Sequence, residues 1–301
     1  MPRLMKAPRQ VLPGTTYLVT RRCSQRQFLL RPSKTTNAIF LYVLAVATRR
    51  FGMKIHAFCV LSNHFHLVLT DPSARLPAFE QYLDSLVARA INATLGRWES
   101  FWAPSSYSAV ALASPADIVD KTAYVLANPV AAGLVRRARD WPGLWSAPAL
   151  IGGASLHAVR PAAFFRDDGS MPPTAELQLV APEGFESPVA FRDQVTGALV
   201  AAEARAGSAV ERRGRGFLGR ARVLSQNPLA QPATGEPRRQ LNPRVASRDK
   251  WKRVETLARL LEFVERYRAA RRARRAGQRD ALFPPGTYLL RIAHGVACAP
   301  A

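Results

Sequence analysis

Apolar and polar positions along the first half of the chain mark a regular series of elements. In Thr15–Arg22, the positions Thr15, Tyr17 and Val19 alternate with Thr16, Leu18 and Thr20, the period of a strand, and Pro13-Gly14 punctuates its start. Residues 33–51 place Phe40, Val43, Leu44, Ala47 and Phe51 at helical spacing. Arg49-Arg50 sit near the negative end of that helix, and Gly52 follows as a stop. Lys54–Leu61 and 64–70 are rich in β-prone residues and separated only by Ser62-Asn63, which predicts an antiparallel hairpin. The two-residue period puts His64, His66, Val68 and Thr70 on one face, and Phe65, Leu67 and Leu69 on the other, against helices. Residues 77–95 predict a second helix and 107–112 a fourth strand. Ser114 as N-cap, Pro115 at the first helical position and Asp117 at the third mark another helix, which carries Tyr124 and ends near Asn128, before Pro129.

The order βαββαβ plus one helix predicts an α+β fold. Its plan is a ferredoxin-like antiparallel sheet with two helices packed on one face, the other face being free or covered by the tyrosine-bearing helix. After residue 146 the pattern breaks. Residues 147–190 are rich in Pro and Gly. Residues 189–206 predict a helix interrupted by Gly197, 212–222 are basic and Gly-rich, and 228–243 hold four prolines. Residues 247–277 predict a long basic amphipathic helix, with Trp251, Val254, Leu257, Leu261 and Val264 near one stripe and Trp251 read as core. The expected organisation is an N-terminal domain over 1–150, a Pro/Gly/Arg-rich linker with a short helical segment over 151–245, and a basic helix with its tail over 246–301. The C-terminal extension is thus expected to be mostly helical and partly irregular.

Charge narrows the partner. The 301 residues hold 43 Lys and Arg against 21 Asp and Glu, a net +22. The excess is spread evenly, since residues 1–150 alone carry 18 basic and 7 acidic side chains. Such a balance points to a polyanionic partner, nucleic acid or an anionic membrane surface. Three cysteines without a CxxC pair argue against a disulfide framework or a cysteine zinc module. No apolar run reaches the roughly 18 residues of a bilayer span, and no apolar signal segment follows the first Met. The expectation is a cytoplasmic, nucleoid-associated protein with no membrane partner.

Two constellations carry candidate chemistry. His64 and His66, two apart on a strand, project imidazoles from one face, where they either hold one divalent cation or pack as strand histidines. Tyr124 and Asn128, four apart, share a helix face with Asp120. A tyrosine phenol attacks a phosphodiester when positive charge lies nearby, and an Asn amide offers a neutral oxygen ligand. Read from the residues alone, both are equally ordinary packing and helix-ending positions. Arg21, Arg22 and Arg26 after the first strand, Arg136, Arg137 and Arg139 after the tyrosine helix, and Lys250, Lys252 and Arg253 in the late helix are candidate contacts for the phosphates of a polyanion such as DNA.

The run Cys59-Val60-Leu61-Ser62-Asn63-His64-Phe65-His66-Leu67-Val68-Leu69 resembles the core motif of single-tyrosine HUH transposases. Tyr124-Val125-Leu126-Ala127-Asn128-Pro129-Val130-Ala131-Ala132-Gly133-Leu134-Val135 resembles their second motif, although no basic residue stands between Val130 and Gly133. The segment from Val11 to Arg22, and Asp140-Trp141-Pro142 with Trp145-Ser146, are also similar to that family, in its branch of REP-associated tyrosine transposases. The resemblance covers roughly residues 8–150. It implies that His64, His66 and Asn128 bind Mg²⁺ or Mn²⁺ and that Tyr124 is the nucleophile. The implied reaction is cleavage and transfer of single-stranded DNA through a 5′-phosphotyrosine intermediate, as in DNA transposition. The implied partners are hairpin-forming repeats and a second copy of the chain, with no nucleotide cofactor. The rival expectation is a transposase-derived DNA-binding or regulatory protein without catalysis. An RNA-binding module lacks a basic-aromatic strand signature here.

Overall fold

The computed structural model describes residues 8–104, 107–214, 216–233 and 243–300. The chain start and part of the proline-rich 228–243 stretch lie outside the described residues. The fold is mixed α+β: a central sheet, helices packed on it, and a mostly helical C-terminal extension.

Strand β1 (Thr15–Arg22) lies inside the sheet, antiparallel to β3 (His64–Asp71) and to β4 (Ser108–Leu112). β2 (Lys54–Leu61) pairs antiparallel with β3, forming the predicted hairpin with Leu61 opposite His64. The order β2-β3-β1-β4 is extended by a two-residue parallel strand, Val245–Ala246, beside β4. β2 and β3 are buried along nearly their whole length, as expected when both faces of a sheet are covered. Helices α1 (Lys34–Phe51) and α2 (Leu76–Thr94) cover the face of Phe65, whose ring meets Phe40 edge-on at 5.2 Å. The other face takes α3 (Pro115–Leu126), which carries Tyr124.

Local chemistry sets the boundaries. The Ser33 hydroxyl accepts from the Thr36 N–H to start α1, and Gly52 ends it in the left-handed region at φ 67°, where a side chain would be strained. The Asp71 carboxylate accepts from the N–H groups of Arg75 and Leu76, coupling the end of β3 to the start of α2. Ser114 caps α3 through the Asp117 N–H, with Pro115 in its first turn. The helix path resumes after Ala127 as α4 (Asn128–Ala131), so Asn128 sits inside a helical turn rather than ending one.

Beyond residue 150, β5 (Leu156–Val159) and β6 (Thr174–Leu177) pair antiparallel. This segment docks on α1, where the Tyr42 hydroxyl donates to the Pro172 carbonyl and the Tyr42 ring meets Phe165 at 5.1 Å. α5 (Pro188–Arg212) is longer than its sequence pattern indicated. Its buried Phe191, Val195 and Leu199 lie on one face, and Val210 packs near Gly133 at its far end. α6 (Arg220–Leu224) leads on to α7 (Lys250–Arg275) and the short α8 (Leu289–His294).

The stripe expected to bury α7 is a correction. Trp251 is 76% exposed, and Val254, Leu257 and Leu261 are exposed with it. Burial begins only at Phe263 and Val264. The first turns instead direct Thr256 and Leu260 toward a cavity of about 300 Å³ beside Tyr17 and Ala111. An apolar stripe identifies a helix face, but which face meets the body is decided by where the sheet edge lies. Among the described residues, no helix is long and apolar enough to cross a membrane.

Candidate functional site

The β2–β3 hairpin turn is Ser62-Asn63, so His64 is the first residue of β3 and His66 follows one pleat later on the same face. Their rings lie 4.8 Å apart at 87°. Each ring has its Nδ1 engaged: that of His64 with the Asn63 side-chain oxygen at 2.7 Å, and that of His66 with the Thr20 hydroxyl at 2.7 Å. Thr20 is opposite His66 in the β1–β3 register, which aims its hydroxyl at that ring. An engaged Nδ1 leaves Nε2 as the second nitrogen of each ring, and Nε2 of the buried His66 has no hydrogen-bond partner. Burial, with Arg22 beside the ring, lowers the His64 pKa to about 3. Burial, with His64 and Arg22 nearby, pushes His66 well below the usual imidazole value. Both imidazoles are therefore neutral near pH 7, with a lone pair available.

α3 delivers Tyr124 to this face. Its ring lies 5.7 Å from that of His66, and the side chain is 46% exposed, with the Lys121 ammonium 5.9 Å from the ring centre. Asn128 is buried one turn on, and its amide nitrogen donates to the Tyr124 carbonyl at 3.0 Å. That bond leaves the amide oxygen without a partner among the described residues. The Trp145 indole donates to the Leu126 carbonyl at 2.9 Å, while Trp141 donates to Val60 and Ser146 exchanges bonds with Phe58. The segment 141–146 thus straps the end of α3 to the edge strand β2. Asp120, on the Tyr124 face of α3, pairs with Lys121 at 3.5 Å and with Arg248 at 3.4 Å.

Among the described residues, no group of three or more His, Cys, Asp or Glu is placed to hold a metal. What the fold brings together is two neutral imidazoles, one with an orphaned buried Nε2, beside Tyr124, while Asn128 lies one turn further along the tyrosine helix. Such a set fits a divalent ion that takes its remaining ligands from water and phosphate.

The predicted basic residues separate. Arg22 is exposed on the histidine face, opposite His64 in register. Arg21 points to the opposite face and pairs with Asp84 of α2 at 3.1 Å, its side chain only 13% exposed, so its position is a core ion pair rather than part of this face. Arg26 is partly buried in the turn after β1. Arg136 lies over the Phe217 ring and near Glu211, and Arg137 and Arg139 line a separate cavity with Glu203 and Trp145. Lys250, Lys252 and Arg253 are exposed at the start of α7, around Trp251. The pattern alone did not single out Thr20, the Trp145 tie or Arg248 as parts of the site. Trp145 stood in a segment similar to the family, but its tie to the tyrosine helix, like the place of Thr20 opposite His66, follows only from strand pairing and packing.

No protein-family model matches this sequence, and no curated protein matches it. Among solved structures, the chain is similar to a REP-associated tyrosine transposase bound to a REP hairpin. The identity is 21% and the TM-score 0.40, over 46% of this chain and 81% of that one. It is also similar to a transposase candidate from Deinococcus radiodurans R1, with 20% identity and a TM-score of 0.28, over 35% of this chain and 85% of the other.

Proposed function

We propose that the βαββαβ unit is a ferredoxin-like HUH module that cleaves and rejoins single-stranded DNA through a phosphotyrosine link. The observation that carries this reading is the meeting of two sequence-distant features on one sheet face: the neutral His64–His66 pair, in which His66 Nε2 is orphaned, and the half-exposed Tyr124 ring, centred 5.7 Å from the His66 ring. His64 and His66, with the Asn128 amide oxygen, would hold Mg²⁺ or Mn²⁺. When bound there, such an ion would supply Lewis-acid polarisation of a non-bridging phosphate oxygen. Asn63 and Thr20 keep the two rings oriented. The Tyr124 oxygen bonds to phosphorus as the bond to the leaving 3′-oxygen breaks, and the phenolic proton balances the 3′-hydroxyl that forms. Attack by another 3′-hydroxyl reverses the step, so no nucleotide cofactor is needed. Arg22 and the basic start of α7 neutralise the strand. A homodimer acting on hairpin-forming repeats, in the cytoplasm at the nucleoid, completes the reading.

The test uses end-labelled single-stranded DNA from the gene's flanks with Mn²⁺ or Mg²⁺ on a denaturing gel. The expected result is a metal-dependent protein–DNA adduct that Tyr124→Phe abolishes while native-gel binding persists. Binding by both proteins without any adduct would instead support the non-catalytic DNA-binding reading, for which the broad positive charge speaks.

A further inference from the structure

α5 lies along α3 and encloses, beside Tyr124, an open groove of about 460 Å³, within the range of sites that take a small ligand. Its floor comes from Ala123 of α3 and from Ala127 just past its end, and its far wall from Ala198, Ala201 and Ala202 of α5. Positions 198, 201, 202 and 205 are one helical face, so the groove width is set by alanines on the side of α5 that faces the tyrosine helix. Larger side chains there would close it. The rim is cationic: Lys121, Arg205 and Arg248 border the groove, and Asp120, its one acidic lining residue, is already shared between Lys121 and Arg248. Arg205 is exposed and has no ion-pair partner among the described residues.

We propose that this groove receives one nucleotide of the single-stranded DNA, the one adjoining the phosphate presented to Tyr124. The alanine walls make a flat apolar slot for a base, and the three cations match a phosphate on either side of it. The groove thereby makes α5, an element outside the βαββαβ unit, part of the substrate site. The inference rests on the DNA-processing reading above for the identity of the strand.

The experiment measures fluorescence anisotropy of a 5′-labelled 12-nucleotide single-stranded DNA against the full chain. Ala201→Leu, which fills the slot from an exposed position, is compared with Ala204→Leu, which adds the same bulk on the same helix away from the groove. Melting curves confirm that both variants fold. The expected result is binding at least fivefold weaker for Ala201→Leu and within twofold of the parent for Ala204→Leu, with Arg205→Ala also weakened. Equal affinities for the two leucine variants overturn the groove while leaving the Tyr124 chemistry standing. Selective weakening by Ala201→Leu upholds the groove, and absence of an adduct in the metal-dependent denaturing-gel assay with flanking DNA would then remove only the cleavage reading. Absence of binding to single-stranded DNA overturns both.

Discussion

At the residue scale, the site depends on side chains that touch the histidines as much as on the histidines themselves. Thr20 holds His66 Nδ1, and losing such a support typically lowers metal affinity by about 10–100-fold. Thr20→Val keeps the shape and removes the hydroxyl. Calorimetric titration with Mn²⁺ is therefore expected to show affinity at least about tenfold lower, with unchanged melting temperature in metal-free buffer. His56 makes a different prediction. It is the extra residue where the β2–β3 register shifts between Ile55 and Ala57, and it is fully buried between the Val180 carbonyl and the Thr70 hydroxyl. Burial lowers its pKa from 6.5 to about 4. Between those values the unfolded chain binds more protons than the folded one, so stability is fully present above pH 6.5 and falls as pH drops toward 4. The loss approaches about 3 kcal/mol for this one group. Urea unfolding at pH 7.5 and pH 4.5 is expected to show a smaller drop for His56→Asn than for the parent. An equal drop would assign the acid sensitivity to other groups.

At the element scale, the β2–β3 hairpin and α3 were legible because each carries strong local chemistry. The Ser62-Asn63 break sits between two apolar strands, and Ser114-Pro115-Asp117 is a complete helix start. α7 was legible as a helix but not in its orientation. Its basic residues are spread around an exposed Trp251, a combination suited to stacking an unpaired base beside neutralised phosphates. Trp251→Ala is expected to weaken binding of single-stranded DNA by about 1–3 kcal/mol and to leave duplex binding nearly unchanged, read by anisotropy on the two substrates. Equal weakening on both would assign Trp251 to the fold of α7 instead.

At the scale of the whole molecule, the net charge of +22 makes salt dependence the test of the proposed DNA binding. About five neutralised phosphates on a single strand give a slope near −3.5 in log affinity against log salt. Titrations between 50 and 400 mM salt are expected to show a slope at least as steep as about −3, and a flat response would deny a phosphate footprint of that size. The charge is also partitioned by the fold in a way composition cannot show. Arg21 serves Asp84 under α2, whereas Arg22, one residue on, faces the histidines.

What the sequence by itself determined was everything governed by neighbours along the chain. It contained the strand and helix periods, the caps, the shared face of His64 and His66, and the four-residue spacing of Tyr124 and Asn128. These follow from backbone geometry over a few residues, and no tertiary contact is needed to read them. What only the tertiary structure decided was everything that depends on segments far apart in number. Strand register placed Thr20 under His66, the 141–146 strap fixed the end of α3, and packing of α5 on α3 left an alanine groove at Tyr124. Packing also left Trp251 in solvent and Glu80 inside. That carboxyl is fully buried, with neither oxygen hydrogen-bonded, and its pKa is raised by desolvation and by Asp84. Such placements come from burial competing over the whole chain, where many apolar faces are equivalent in pattern and only one arrangement covers them all.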